Sequence, residues 1–293
     1  MRRSLLVLFP LFVALILVLF ALRQLLGIAL PSTMVAYMTL ETGLPVVIVE
    51  DLNHGLKQRL DFDFFTDPAF SPDGARLVLT AYLRFGSDIV THDLRSGETR
   101  RLTESVAIAE SPAWSPDGDW IAFASNREGD NNIYIIRPDG SDKQRITASS
   151  AGDREPAWSP DSRSLVFSSN RGDGWDLYRI ELESRALQQL TTHRAPDTSP
   201  DWSPDGRRIV FASGRDGASA IYVLELETGE VTPLVIDPRY DSRPKWTPDG
   251  RAVTFARSVD GVSRIMRVDV ATGALSRLAL GEDDADALAW WRG

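Results

Sequence analysis

Trp114-Ser115-Pro116-Asp117-Gly118 recurs along the chain as Phe70-Ser71-Pro72-Asp73-Gly74, Trp158-Ser159-Pro160-Asp161-Ser162, Trp202-Ser203-Pro204-Asp205-Gly206 and Trp246-Thr247-Pro248-Asp249-Gly250. The hydroxyl residues stand at 71, 115, 159, 203 and 247, a period of 44 without drift, and a sixth aromatic, Trp290, stands 44 beyond Trp246. Ser, Pro, Asp and Gly in that order suit a type I β-turn, with Gly free to take the positive φ that closes a hairpin. The aspartates Asp73, Asp117, Asp161, Asp205 and Asp249 therefore read as structural turn residues. Calcium ligands would have to converge on one ion, whereas these come one per repeat. Ser162 replaces the turn Gly once, and a shared turn would push it into the left-handed region at a cost of about 1 kcal/mol. Relief of that strain predicts a slightly more stable Ser162→Gly protein.

Each turn separates short strands. In one repeat, strand b reads Trp120-Ile121-Ala122-Phe123-Ala124-Ser125, strand c Ile133-Tyr134-Ile135-Ile136, and a shorter strand d ends at Ile146-Thr147. A four-stranded antiparallel sheet every 44 residues is the signature of propeller blades. Val35-Ala36-Tyr37, Val47-Ile48, Asp51-Leu52, Gly55 and Leu60 match Leu77-Val78-Leu79, Ile89-Val90, Asp93-Leu94, Gly97 and Leu102 at one constant offset. Residues 34–60 thus supply strands b, c and d of a blade without a strand a, and Ala287–Trp291 supplies a strand a with nothing after it. Joined, they complete a sixth blade and leave no open sheet edge. The fold expected is all-β, a six-bladed β-propeller over residues 32–293.

Residues 1–31 read differently. Arg2 and Arg3 precede Leu5–Leu22, an uncharged run that as a helix reaches about 27 Å, close to a bilayer's hydrocarbon thickness. This predicts one N-terminal transmembrane helix, the N-terminus cytoplasmic and the propeller extracytoplasmic, on the periplasmic or outer face of a cell membrane. A cleaved signal peptide, with Gly27-Ile28-Ala29 as its site, is the competing reading. The rest of the chain carries 29 Lys and Arg against 41 Asp and Glu, a balance that argues against nucleic acid as a partner. The absence of cysteine excludes disulfides and thiolate chemistry.

Pro112-Ala113-Trp114-Ser115-Pro116-Asp117-Gly118, Ile121-Ala122-Phe123, Ser125-Asn126-Arg127 and Ile133-Tyr134 together resemble the repeat of the TolB-like β-propellers, a WD-like Pro-Asp repeat also found in propellers of prolyl-oligopeptidase-type enzymes. TolB proper has a separate α/β domain before its propeller, and here about thirty mostly apolar residues stand in that place. No G-x-S-x-G nucleophile elbow occurs. The resemblance implies a propeller that binds another protein across one face or at its central channel.

The three histidines, His54, His92 and His193, fall in different blades, so neither a catalytic triad nor a shared metal is expected, and no cofactor. Arg127, Arg171 and Arg215 recur in the b–c loops, read either as a basic ring for an anion or, preferably, as partners of d–a acids that pin adjacent blades. The acids of the d–a connections, Asp67, Glu110, Asp153, Glu155, Asp197, Asp241, Asp284 and Asp286, surround the expected channel mouth. They read as the binding face for a protein partner of basic character, with a solvated rim as the bland alternative. A non-enzymatic binding propeller is the leading expectation. A metal-dependent hydrolase or lyase in the channel mouth is the alternative, and a sugar receptor stacking on Tyr240, Phe64, Phe65 and Trp175 ranks last.

Overall fold

The computed structural model describes residues 33–41, 44–60, 65–104, 107–237, 239–280 and 285–292. Its 24 strands form six four-stranded antiparallel sheets. Blade 1 spans Phe65–Arg101, blade 2 Ala109–Arg145, blade 3 Asp153–Gln189, blade 4 Asp197–Val235 and blade 5 Tyr240–Arg277. In blade 6 the strand order joins the two ends of the chain, with Ala285–Arg292 pairing with Thr33–Glu41, then Leu44–Asp51 and Leu56–Leu60. Met34 lies opposite Trp291 and Val35 opposite Trp290, as the offset in the sequence predicted. The expected membrane segment over 1–31 lies outside the described residues, and among the described residues no helix is long and apolar enough to cross a membrane.

Period-two alternation turns each inner strand into two interfaces. Ile121 and Phe123 join the core shared with blade 1, whereas Ala122 and Ala124 join the core shared with blade 3. Val35 and Tyr37 likewise face blade 5, and Ala36 faces blade 1. Six such cores follow one another round the ring. Because both faces of every blade are covered, strands b and c carry apolar residues on both faces, as in Ile121–Ser125 and Asn132–Ile136, and each fully buried Phe or Leu contributes about 1.5–3 kcal/mol. The outermost strands, such as Thr99–Arg101 and Leu187–Gln189, are exposed and polar, which discourages edge pairing with other chains.

The Ser-Pro-Asp-Gly turns are built alike. In blade 2 the Gly118 N–H donates to the Ser115 carbonyl at 2.9 Å, the Ser115 hydroxyl donates to Asp117 Oδ1 at 2.6 Å, and the Asp119 N–H donates to the same oxygen at 3.0 Å. Asp73, Asp161, Asp205 and Asp249 accept the same pair of bonds. The hydroxyl bond is the largest influence holding the Asp161, Asp205 and Asp249 carboxyls below their ordinary value. The turns also overlap round the ring, since a Cβ on Gly118, Gly206 or Gly250 would touch the proline ring of the preceding turn at 3.6–3.8 Å.

Ser162 does take the left-handed conformation, with φ 60°. It has, however, a compensation invisible in the turn motif: its Oγ accepts the Asp117 N–H of blade 2 at 3.1 Å. Glycine at 162 relieves about 1 kcal/mol of strain and forfeits an inter-blade hydrogen bond of about 1 kcal/mol. The expectation of a stabilised Ser162→Gly protein is therefore corrected to a melting temperature within about 2 °C of wild type. A thermal melt of the purified variant checks this.

Candidate functional site

The six innermost strands line a central cavity of about 470 Å³. Each carries a β-bulge two or three residues in, and the bulged residue has positive φ: Asp67 (51°), Ser111 (53°), Glu155 (56°), Ser199 (52°), Arg243 (51°) and Ala287 (50°). In five blades it precedes a proline, at 68, 112, 156, 200 and 244, which bars it from the right-handed helical region. A bulge re-aims side chains, and both Glu110 and Ser111, like both Arg154 and Glu155, reach the cavity wall. The recurrent proline was present in the sequence as a fixed-period signal for this ring.

The acids expected at the mouth separate into two sets. Asp153, Asp197 and Asp241 are fully buried. Arg171 Nη2 lies 2.7 and 2.8 Å from the two Asp153 oxygens, Arg215 Nη2 3.0 and 2.9 Å from those of Asp197, and the Arg257 fork 2.7 Å from each oxygen of Asp241. These three acids hold their own blades together and present nothing to a partner. The arginine therefore clamps the b–c side of one blade to that blade's first strand, which corrects the expectation that it pins neighbouring blades. The inter-blade link is made by the aspartate's backbone N–H, which donates to Asn131, Trp175 and Ser219 carbonyls of the preceding blade at 2.7–2.9 Å. In blade 5 the clamp comes from Arg257, two residues before the loop position where the period places Val259.

Asp67, Glu110 and Glu155 do stand at the channel, Asp286 reaches it only through Arg243, and Asp284 lies outside the described residues. Most are partnered. Arg243 of blade 5 reaches past Ala287 to put Nη1 2.7 Å from Asp67 of blade 1, with Nε 3.8 Å from Asp286 of blade 6. Glu155 accepts the Ser199 N–H at 2.8 Å and the Ser199 and Ser168 hydroxyls at 3.1 and 3.0 Å. Asp201, which the sequence reading did not single out, receives Lys245 Nζ at 3.0 Å. With Arg154, Arg243 and Lys245 among the lining residues, the channel is mixed in charge rather than simply acidic. Glu110 alone among the lining carboxylates makes no hydrogen bond or ion pair within the described residues. Its carboxyl is pushed above the ordinary value by burial, then by Asp67 and Glu155.

Apolar side chains crowd the same face. Tyr82, Leu83 and Phe85 of blade 1 are 44, 44 and 72% exposed, and Ile108 of the adjoining connection is 40% exposed. The Ser87 N–H and hydroxyl donate to the Ala107 and Ala109 carbonyls at 3.2 and 2.8 Å, which brings this loop against the strand start that carries Glu110. Of the aromatics considered for sugar stacking, Tyr240 is exposed, whereas Trp175 is covered by the Arg154 guanidinium at 3.8 Å. Phe64 and the side chain of Phe65 lie outside the described residues. The histidines are dispersed: His54 pairs with Asp51 at 2.9 Å, His92 with Thr99 at 2.9 Å, and His193 Nδ1 accepts the Ala195 N–H. Among the described residues no group of three or more histidines or carboxylates is placed to hold a metal ion.

The TolB beta propeller domain family matches the chain over residues 30–155 and 150–289. No curated protein matches it. Among solved structures, TolB from Acinetobacter baumannii is similar with a TM-score of 0.77 at 20% identity, covering 88% of this chain and 66% of that one. A putative TolB from Agrobacterium tumefaciens is similar at 0.69 and 22%, covering 86% of this chain and 90% of that one. An oligogalacturonate lyase in complex with manganese is similar at 0.58 and 16%, covering 85% and 73%. At these identities the likeness speaks for the fold.

Proposed function

The chain belongs to the TolB β-propeller family, and from that premise we propose that it is a non-enzymatic protein-binding propeller, held by residues 1–31 on the extracytoplasmic side of a membrane. The partner docks on the face formed by the b–c loops and d–a connections, around the channel mouth. The observation that carries the reading is the coincidence on one face of an unpaired carboxylate, Glu110, and a cluster of exposed apolar side chains, Tyr82, Leu83, Phe85 and Ile108. Protein interfaces concentrate binding energy in such aromatic anchors, and a lone carboxylate beside them favours a basic group on the partner. Asp67, Glu155 and Asp286 contribute as members of the ion-paired ring that shapes the mouth. A closed ring of repeats suits this role, because its loops vary without disturbing the sheets.

Orientation supports the same face. Thr33 pairs opposite Arg292, at the end of the blade where the Ser-Pro-Asp-Gly turns lie. A membrane segment ending just before Thr33 puts that turn face toward the lipid and the channel mouth away from it.

Capture of partner proteins from an envelope extract by the full chain in detergent tests the proposal. Capture by wild type is expected to fall at least tenfold with Phe85→Ala and severalfold with Glu110→Gln. Binding should also weaken as pH falls through a value above the ordinary glutamate range, since burial raises the folded pKa of Glu110 and the basic partner needs it ionised. Undiminished capture by both variants would overturn this face as the docking site, and stabilisation of the chain by manganese, zinc or calcium without any captured protein would favour a metal-dependent hydrolase or lyase in the channel.

A further inference from the structure

Blade 2 repeats the clamp of blades 3 and 4 with one member missing. The period of 44 aligns Asp153, Asp197 and Asp241 with Ala109. Everything else in the clamp is kept. Arg127 Cζ stands 5.2 and 5.1 Å from the Phe123 and Tyr134 rings, as Arg171 stands 5.5 and 4.9 Å from Phe167 and Tyr178. Arg127 Nε donates to Ser125 Oγ at 3.1 Å, as Arg171 and Arg215 do to Ser169 and Ser213 at 2.8 and 3.0 Å. In blades 3 and 4 the Nη2 of this arginine goes to the aspartate, whereas Arg127 Nη2 is buried without an acceptor.

A second buried donor points into the same region. The Tyr134 hydroxyl lies beside Glu128 but makes no hydrogen bond of ordinary geometry among the described residues, and the residue is only 2% exposed. The corresponding hydroxyl in blade 4 donates to Asp216. Its counterpart in blade 2, Glu128, is drawn off to Arg145 at 2.7 Å, and Asp88 pairs with Arg101 and accepts the Thr103 hydroxyl at Oδ1, its buried Oδ2 accepting no hydrogen bond among the described residues. Two buried donors, one of them a cation, are thus left facing a place where sister blades put a carboxylate. A buried donor without an acceptor is costly, and a buried guanidinium more so.

We propose that this slot binds a small carboxylate ion, of formate or acetate size, which accepts hydrogen bonds from Arg127 and Tyr134 in the manner of Asp153 and Asp197 toward their arginines. A free ion fits better than a partner's side chain, because Ala109 and Tyr134 are 1 and 2% exposed and only the half-buried Arg127 opens the slot to solvent.

The test compares the full chain in detergent with Ala109→Asp and Arg127→Met, in sodium acetate and in sodium chloride at equal ionic strength. Wild type should melt several degrees higher in acetate than in chloride, and saturation transfer from the protein to the acetate methyl group should be seen. Ala109→Asp supplies the missing carboxylate in place. It should melt above wild type in chloride and lose both the acetate increment and the transfer. Arg127→Met should lose both as well, so a poorly folding Ala109→Asp leaves the test intact. An acetate increment or transfer of the same size in either variant overturns the proposal, as does an equal response of wild type to chloride.

Discussion

A chain lacking residues 281–293 is expected to lose its cooperative thermal transition and to aggregate. The deletion removes the first strand of blade 6, whose partner Thr33–Glu41 then presents an unpaired edge. The strand also seals both neighbouring interfaces. Ala285 and Leu288 are buried in the core shared with blade 5, and Ala289 in the core shared with blade 1. Trp290 Nε1 donates to Thr254 Oγ1 of blade 5, and Trp291 Nε1 to the Pro72 carbonyl of blade 1, each at 2.9 Å. Trp291 also covers the blade 1 turn so closely that a Cβ on Gly74 would lie 2.4 Å from its ring. Trp290 and Trp291 are half-buried, so each contributes part of the ~3–5 kcal/mol of a fully buried tryptophan, and the loss of the whole strand with its buried Ala285, Leu288 and Ala289 rivals the roughly 5–15 kcal/mol by which a domain is stable. Circular dichroism melts and size-exclusion chromatography measure this; a monomer that melts like wild type would mean that blade 6 is not closed by the C-terminal strand.

Asp241→Ala should cost about 3–5 kcal/mol of stability, because it strands Arg257, 2% exposed, as a buried cation whose remaining partner is Asp237 at 3.2 Å. Glu110→Gln, 131 positions earlier on the same face, should change stability by about 0.5 kcal/mol or less, since that carboxylate has no partner to lose. Urea denaturation of the two variants separates the acids that hold the blades from the one that faces a ligand. If Asp241→Ala unfolds at the wild-type midpoint, the clamp is not a stabilising element and Asp241 returns to the set of surface acids.

The fold was legible because one turn, one aromatic and two apolar strands recur at constant spacing, and because the offset of Val35-Ala36-Tyr37 against Leu77-Val78-Leu79 forced the two ends into one blade. The site was legible only in part. Position along a strand told where Asp153, Asp197 and Asp241 sit, near the mouth, but whether a carboxylate points into the channel or back into its blade depends on an arginine eighteen or sixteen residues later. That pairing comes through tertiary contact, and Arg257 supplies it from off the repeat register. Glu110 stands apart for the converse reason: Asp67 is paired with Arg243 of another blade, and Glu155 is held by Arg154 and by hydrogen bonds from Ser199 of another blade. The apolar cluster at Tyr82, Leu83, Phe85 and Ile108 was invisible for the same cause, since exposure of an apolar residue is a property of the assembled ring.

The docking face is tested most directly by placing a photo-crosslinking residue at Phe85 or Ile108 on the mouth side and at Asp73 or Asp249 on the turn side, in the full-length chain within its own membrane. All four positions are exposed. Adducts to a second protein from 85 and 108, with none from 73 and 249, are expected if the partner sits over the channel mouth. Adducts from 73 and 249 alone, or from no position, would contradict it.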